Sequence, residues 1–267
     1  MMERISSFQN SKIKLANKLV SKRYREKNGL FLIDYARDLG RALEYHYQVE
    51  FAFFCPELAT TDDKAVLAHL DSANVYEVTA ELMEKAGYRQ NPGGLVAVMQ
   101  QKVPLTVIDA EKVQSRHILA LVNLQKPGNI GALLRTADAA GIDMICLVDS
   151  VLDIYNPNII RASTGTVFLD NIYQLSTAEA LDFFGKQQIA IVAAHLAGEC
   201  SLYNVDFNAR RTAIVLGTED EGLDGIWVKH CDKLVKIPMI GQIADSLNVS
   251  VSGAIFMYEA LRQGQKS

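Results

Sequence analysis

From residue 10 the chain reads NSKIKLANKLVSKRYREKNG. Ile13, Ala16 and Val20 recur at i, i+3 and i+7 with lysines filling the opposite side, the period of an amphipathic helix. Asn10 or Ser11 supplies a start and Asn28-Gly29 a stop, so one basic helix is predicted over 10–27. Short apolar runs then alternate with helical periods. Strands are expected at 30–33, 51–54, 74–78 and 95–99, with helices running up to Ala42 and over 62–70 and 79–86. Asn91-Pro92-Gly93-Gly94 reads as a turn.

After a weakly patterned stretch, the alternation restarts. It gives strands at 117–122, 144–148, 189–194, 212–217 and 233–237, and helices at 129–140, near 156–162, at 177–185 and at 223–230. A long helix over 246–262 follows. Strands alternating with helices imply a parallel sheet covered on both faces. The division that follows is a small α/β domain over 1–100, a linker over 101–115 and a larger α/β domain over 116–267.

Composition adds limits. A length of 267 residues favours two domains, and 49% hydrophobic residues with mean hydropathy +0.06 suffice for large cores. Disorder and repeat architectures are excluded. No apolar run approaches the roughly 20 residues that span a bilayer, and MMERISSFQNSKIK lacks the apolar core of a signal peptide. Cys55, Cys146, Cys200 and Cys231 lie far apart without a CxxC pair. The five histidines show no metal-ligand spacing, so each reads as structural or solvent-facing. The expectation is a cytoplasmic protein with no membrane partner and no metal.

Charge changes the picture more. The formal net charge is −4, which alone argues against a nucleic-acid partner. Yet residues 1–27 carry eight cations and two acids, leaving the rest at −10. A basic arm on an acidic body can hold a polyanion without indiscriminate sticking. Lys14, Lys18, Lys22 and Arg25 are its candidate contacts. Arg161, within the polar stretch YNPNIIRASTG, is the residue there best suited to phosphate.

Three segments are polar and glycine-rich where packing does not require it, and ligands of such sheets bind beyond the carboxyl ends of the strands. In NLQKPGNIGALLRTADAAG (123–141), Asn129 can cap a helix bearing Arg135; the two converge more easily with Asn129 still in the loop, because both in the helix would point about 120° apart. In IVLGTEDEGL (214–223), a strand opens into Gly217 and the carboxylates Glu219, Asp220 and Glu221 follow. In KIPMIGQIADSLNVSVSGAIFMYEALRQ (236–263), Ser246 reads as an N-cap, whereas Asn248 among apolar residues needs partners. Neither a P-loop nor a dinucleotide fingerprint is present.

In order, separation and residue types these segments resemble the three motifs of the SpoU/TrmH family of RNA ribose methyltransferases, in the SPOUT superfamily. ISSFQNSKIKLANKL…KRYREKNGLFLI resembles the substrate-binding domain of many members. The resemblance implies a parallel sheet flanked by helices with a C-terminal trefoil knot, an exception to unknotted topology. It implies S-adenosylmethionine bound in that knot, lined by Gly217, Ile237 and Leu247. Catalytic and RNA-contacting positions map onto Asn129, Arg135, Glu219, Ser246 and Asn248. A homodimer is implied, with the site completed across its interface.

Three positions depart from the family pattern: Thr218 where asparagine is frequent, Asn123 where an acid is common, and Tyr35 where glycine is usual. The expected activity is S-adenosylmethionine-dependent 2′-O-methylation of RNA. Ribosomal RNA is favoured over transfer RNA because a dedicated N-terminal recognition domain is present. The alternative is an RNA-binding assembly factor that kept the fold without turnover. A small-molecule nucleotide-binding protein is disfavoured, since no phosphate loop exists.

Overall fold

The computed structural model describes residues 2–110, 115–218 and 222–265. In chain order the elements are β1 (Glu3–Arg4), α1 (Ser11–Lys18), α2 (Lys22–Asn28), β2 (Leu30–Ile33), α3 (Ala36–Glu44), β3 (Val49–Phe54), α4 (Thr61–Leu67), β4 (Val75–Glu77), α5 (Ala80–Ala86) and β5 (Leu95–Gln100). They continue with α6 (Val107–Ala110), β6 (His117–Val122), α7 (Pro127–Ala139), β7 (Met144–Val148), α8 (Pro157–Ser163), β8 (Ile172–Leu175), α9 (Thr177–Lys186) and β9 (Ala190–Ala194). The last are β10 (Cys200–Ser201), β11 (Thr212–Leu216), α10 (Gly225–His230), β12 (Lys233–Lys236) and α11 (Val249–Gly264). Two compact units result. One runs to Val103 and takes in Asp153–Leu169; the other comprises Pro104–Leu152 and the chain from Asp170 onward.

The first unit holds a five-stranded sheet of order β1-β4-β3-β5-β2, in which β5 runs antiparallel to both β3 and β2. All four residues of β2 are buried, as a strand covered on both faces requires. Phe31 on β2 shows how Asp153–Leu169 joins this unit, because its ring stacks on Tyr155 at 4.4 Å and on Phe168 at 5.9 Å.

The predicted helix over 10–27 is two helices. Asn10 caps the first through its side chain, accepting from the Lys12 N–H, and Gly29 ends the second in the left-handed region at φ +63°. Between them the chain breaks at Leu19–Ser21, and the buried residue there is Leu19, whereas Val20 is exposed. The period i, i+7 that selected Val20 therefore fails. The break frees two backbone carbonyls, and Arg25 takes both: its Nη1 donates to Leu19 O and Val20 O at 2.7 Å each. Its Nε donates to Asp153 Oδ2 at 2.5 Å. Arg25 is 1% exposed. Its assignment as an RNA contact is thus corrected: a buried guanidinium needs partners, and this one finds them inside its own unit.

The second unit is built on a seven-stranded sheet of order β10-β12-β9-β11-β6-β7-β8, parallel throughout. Its central strands are continuous apolar runs, as burial on both faces demands. Two strands of this sheet escaped the sequence reading, as did β1 in the first unit. β8, IYQL, is a short edge strand with a polar residue inside it, and β10 has only two residues. The predicted linker holds the short helix α6 and bridges β8 through Leu105 and Tyr173. Chain order and spatial order differ most at β12, which lies between β9 and β10. After β12 the chain returns as α11, which packs against α7, β11 and the turn at Leu202–Asn204. Gly253 permits that approach: a Cβ there would meet Leu133 Cδ2 at 2.4 Å and Leu216 Cδ1 at 2.8 Å.

Candidate active site

Three strand ends of the second unit open into one cavity of about 330 Å³. Its walls take in the last residues of β9, β11 and β12 and the residues just past them, His195, Gly217 and Ile237, where ligands of parallel sheets bind. Leu247 and Ser246 close it from the segment leading into α11. Gly217, Ile237 and Leu247, drawn from two motifs, therefore face one space.

Backbone chemistry shapes this cavity. Thr218 and Gly222 exchange two main-chain hydrogen bonds, N–H of each to O of the other, at 3.0 and 3.1 Å. Gly222 adopts φ +71°, a conformation that favours glycine. A Cβ on Gly217 would sit 2.2 Å from Gly222 O, so only glycine fits where the two segments meet. Residues 237–247 make no backbone–backbone hydrogen bond to any described residue. Ile237 and Leu247 are half-buried all the same. Main-chain donors and acceptors with no backbone partner among the described residues are open to a ligand or water. A cofactor held chiefly by backbone groups fits that lining.

The first and third motifs meet beside it. Asn248 Nδ2 donates to Asn129 Oδ1 at 3.3 Å. The Asn248 Oδ1 accepts from Ser250 N at 2.9 Å and from Ser250 Oγ at 2.6 Å. Asn248, not Ser246, is the N-cap of α11, which starts at Val249. The predicted cap role moves by two residues because the Asn248 side chain reaches one free N–H of the first turn, that of Ser250. Ser246 is exposed and its Oγ contacts Asp245 Oδ1 at 3.3 Å.

Asn129 does not cap α7. That helix begins at Pro127 behind Lys126, since proline is pre-set for the first helical position. Asn129 thus lies inside the helix with Arg135, about 120° around the axis. Asn129 turns to Asn248, while Arg135 is exposed. Glu219 lies outside the described residues. Asn123 follows β6 at φ +50° with its N–H bonded to Val148 O, a backbone conformation that asparagine tolerates well.

Sequence reasoning missed His195. Its backbone N–H donates to Val235 O at 2.9 Å, joining β9 to β12, and its Nδ1 accepts from the Ala197 N–H at 3.1 Å. The signal was positional: it is the first residue after a buried strand of the sheet. Histidine spacing, tuned to metals, could not find it. Among the cations of the basic arm, Lys14, Lys18 and Lys22 are exposed, and Lys22 pairs with Glu26 at 3.5 Å. Arg161 is exposed on α8.

Comparison with known proteins agrees with the motifs. Residues 116–258 match the SpoU rRNA Methylase family and residues 10–97 the MRM3-like substrate binding domain. A 23S rRNA (uridine(2479)-2′-O)-methyltransferase of Streptomyces viridochromogenes is 29% identical over 247 residues, covering 90% of this chain and 85% of that protein. A crystal structure of an RNA 2′-O ribose methyltransferase superposes with TM-score 0.82 at 35% identity, over 98% of this chain and 99% of that one. An AdoMet-bound rRNA methyltransferase of Sinorhizobium meliloti does so with TM-score 0.83 at 26% identity, over 98% of each chain. The chain has the SPOUT fold and belongs to the SpoU rRNA methylase family.

Proposed function

We propose that this protein methylates a ribose 2′-hydroxyl of RNA with S-adenosylmethionine as donor, and that its substrate is ribosomal rather than transfer RNA. The observation that carries this is the convergence of Gly217, Ile237 and Leu247 on one cavity beyond the carboxyl ends of the sheet. The ribosomal assignment draws on the relatives named above and on the N-terminal substrate-binding domain. No described helix is long and apolar enough to cross a membrane, which is compatible with a cytoplasmic site of action.

When bound, S-adenosylmethionine supplies an electrophilic methyl group. The chain's own task is to align a hydroxyl with it, and positioning of that kind supplies much of the rate. Gly217, Ile237 and Leu247 hold the cofactor through backbone groups. Arg135, exposed and always charged, clamps an RNA phosphate and stabilises the oxyanion that develops as the hydroxyl loses its proton. Asn248 and Asn129 fix the entry of α11 against α7, so the third motif stays in register with the first. By motif match Glu219 and Ser246 serve catalysis and RNA contact, and Lys14, Lys18, Lys22 and Arg161 contribute contacts to the RNA.

The protein acts as a homodimer in this reading. Ile240 and Ile243 are each 98% exposed in the segment that closes the cavity. Val251 and Tyr258, seven residues apart on α11, are also exposed. Apolar side chains held out beside an active site mark an association surface. Sedimentation at low micromolar concentration is expected to give twice the 29.5 kDa chain mass; a fully active monomer excludes the shared site. The decisive experiment incubates the protein with methyl-labelled S-adenosylmethionine and RNA from cells lacking the gene. Label is expected on ribose. Label confined to bases, or none despite tight cofactor binding, overturns the activity and leaves an RNA-binding protein.

A further inference from the structure

Helices α1 and α2 border an open groove of about 330 Å³, lined by Ser11, Lys14, Leu15, Lys18, Tyr24, Lys27 and Asn28. Three features set it apart from an ordinary solvated helix face. First, its charge is of one sign: three lysines line it and no carboxylate does. Lys14, Lys18 and Lys27 form no ion pair with any described residue, whereas Lys22, outside the groove, pairs with Glu26. Second, Lys14 and Lys18 stand four apart on a helix, SKIKLANK, that contains no acid. Like charges at that spacing oppose helix formation. The last-turn positions of Lys18 and Lys27 suit the helix dipole, but Lys14 has no such compensation. Third, the floor is aromatic. Tyr24 is half-buried, Lys18 Nζ lies 5.4 Å from its ring centroid, and its carbonyl accepts from Asn28 Nδ2 at 2.7 Å.

Unpaired ammonium groups around an aromatic ring are the arrangement that single-stranded nucleic acids use. Phosphates neutralise the lysines, and an unstacked base lies on the ring. The groove volume is at the lower end of ligand clefts, which matches one nucleotide rather than a duplex. We propose that the α1–α2 groove binds an unpaired nucleotide of the RNA substrate, its base stacked on Tyr24 and its flanking phosphates held by Lys14, Lys18 and Lys27. This rests on the RNA-modifying reading above and deepens it. It replaces a diffuse basic arm, of which Arg25 is no part, with a defined site for single-stranded RNA. Phosphate drawn to Lys18 takes its ammonium off the Tyr24 face and uncovers the ring for the base.

The test uses the full chain and a fluorescein-labelled 12-nucleotide oligouridylate, with binding followed by anisotropy at several salt concentrations. Methyl transfer to in vitro transcribed 23S rRNA is measured in parallel. Lys14→Gln, Lys18→Gln and Lys27→Gln combined are expected to flatten the log–log salt slope by about 2, at roughly 0.7 per phosphate on single strands. Tyr24→Leu is expected to weaken oligonucleotide binding about 5- to 150-fold with the slope unchanged, the range of one lost stacking contact. Tyr24→Phe is expected to restore it. The triple lysine variant and Tyr24→Leu raise KM for RNA, whereas kcat at saturating RNA and S-adenosylmethionine affinity stay at the parent's values.

The triple variant also removes the repulsion within α1 and is expected to melt no lower than the parent, which separates lost contacts from lost folding. A parent that methylates rRNA while the variants keep its KM and slope overturns the groove and leaves the activity standing. Polyglutamate displacing the oligouridylate at equal charge concentration, with Tyr24→Leu having no effect, assigns the groove to an acidic protein partner and also overturns it. A parent that binds cofactor yet neither binds nor methylates RNA overturns both readings.

Discussion

The two units treat their polar residues in opposite ways. In the seven-stranded unit, asparagine and glycine that packing did not require gather at one mouth of the sheet: Asn129 meets Asn248, and Gly217 meets Gly222. In the five-stranded unit, the most conspicuous polar feature is a run of cations, and folding divides it. Arg25 goes inside to hold two carbonyls and Asp153, Lys22 pairs on the surface, and Lys14, Lys18 and Lys27 border a groove. An unexplained residue in a regular α/β sheet points to a site because sheet topology collects loop residues at one edge. Charge in a short helical segment points nowhere until the backbone around it is known. A single break between helices creates acceptors that consume an arginine.

That contrast is most sharply broken at Arg25. Arg25→Ala leaves Asp153 buried without its partner and two carbonyls without a donor, and is expected to destabilise the chain by about 3–5 kcal/mol in urea denaturation. Arg25→Met with Asp153→Leu should recover most of that loss, because both desolvated charges go together. Neither variant should alter the salt slope of RNA binding. A stable Arg25→Ala protein with a flattened slope would return Arg25 to the RNA interface.

Arg135 probes the opposite case, a cation whose exposure is the point. Arg135→Ala is expected to lower turnover about 10²–10³-fold, the usual consequence of losing one pre-organised donor to a developing oxyanion. Stability and cofactor affinity measured by calorimetry should hardly change. A variant within threefold of the parent removes Arg135 from the mechanism. Gly217→Ala is smaller in chemistry but informative in kind. The added methyl would lie against Gly222 O, so the paired strands of that loop must part. A stability loss of about 1–3 kcal/mol is expected from overpacking, together with weakened cofactor binding. Unchanged affinity would mean that the close approach of Gly217 to Gly222 does not shape the cofactor site.

The central strands and most of the larger helices were legible in the sequence, because burial on both faces imposes unbroken apolar runs that stand out from amphipathic helices. β8 and β10 were not, because an edge strand of two to four residues needs no such run. Residue types at the site were legible as well, since Asn248 amid apolar neighbours and Gly217 after a buried strand have no packing reason visible in the sequence. Their roles were less so. Proline at the first position of α7 moved Asn129 into the helix, and Asn248 took the cap expected of Ser246.

The sequence by itself therefore determined the two-part α/β organisation, the family and the motif residues, all of which depend on local period, composition and order. Tertiary structure alone decided which side chains meet. It set Asn129 against Asn248 across 119 residues of chain, brought His195 to the cavity wall and buried Arg25. Contacts of that kind depend on where the backbone turns, and the energy of a polar group depends on its partners once water is excluded.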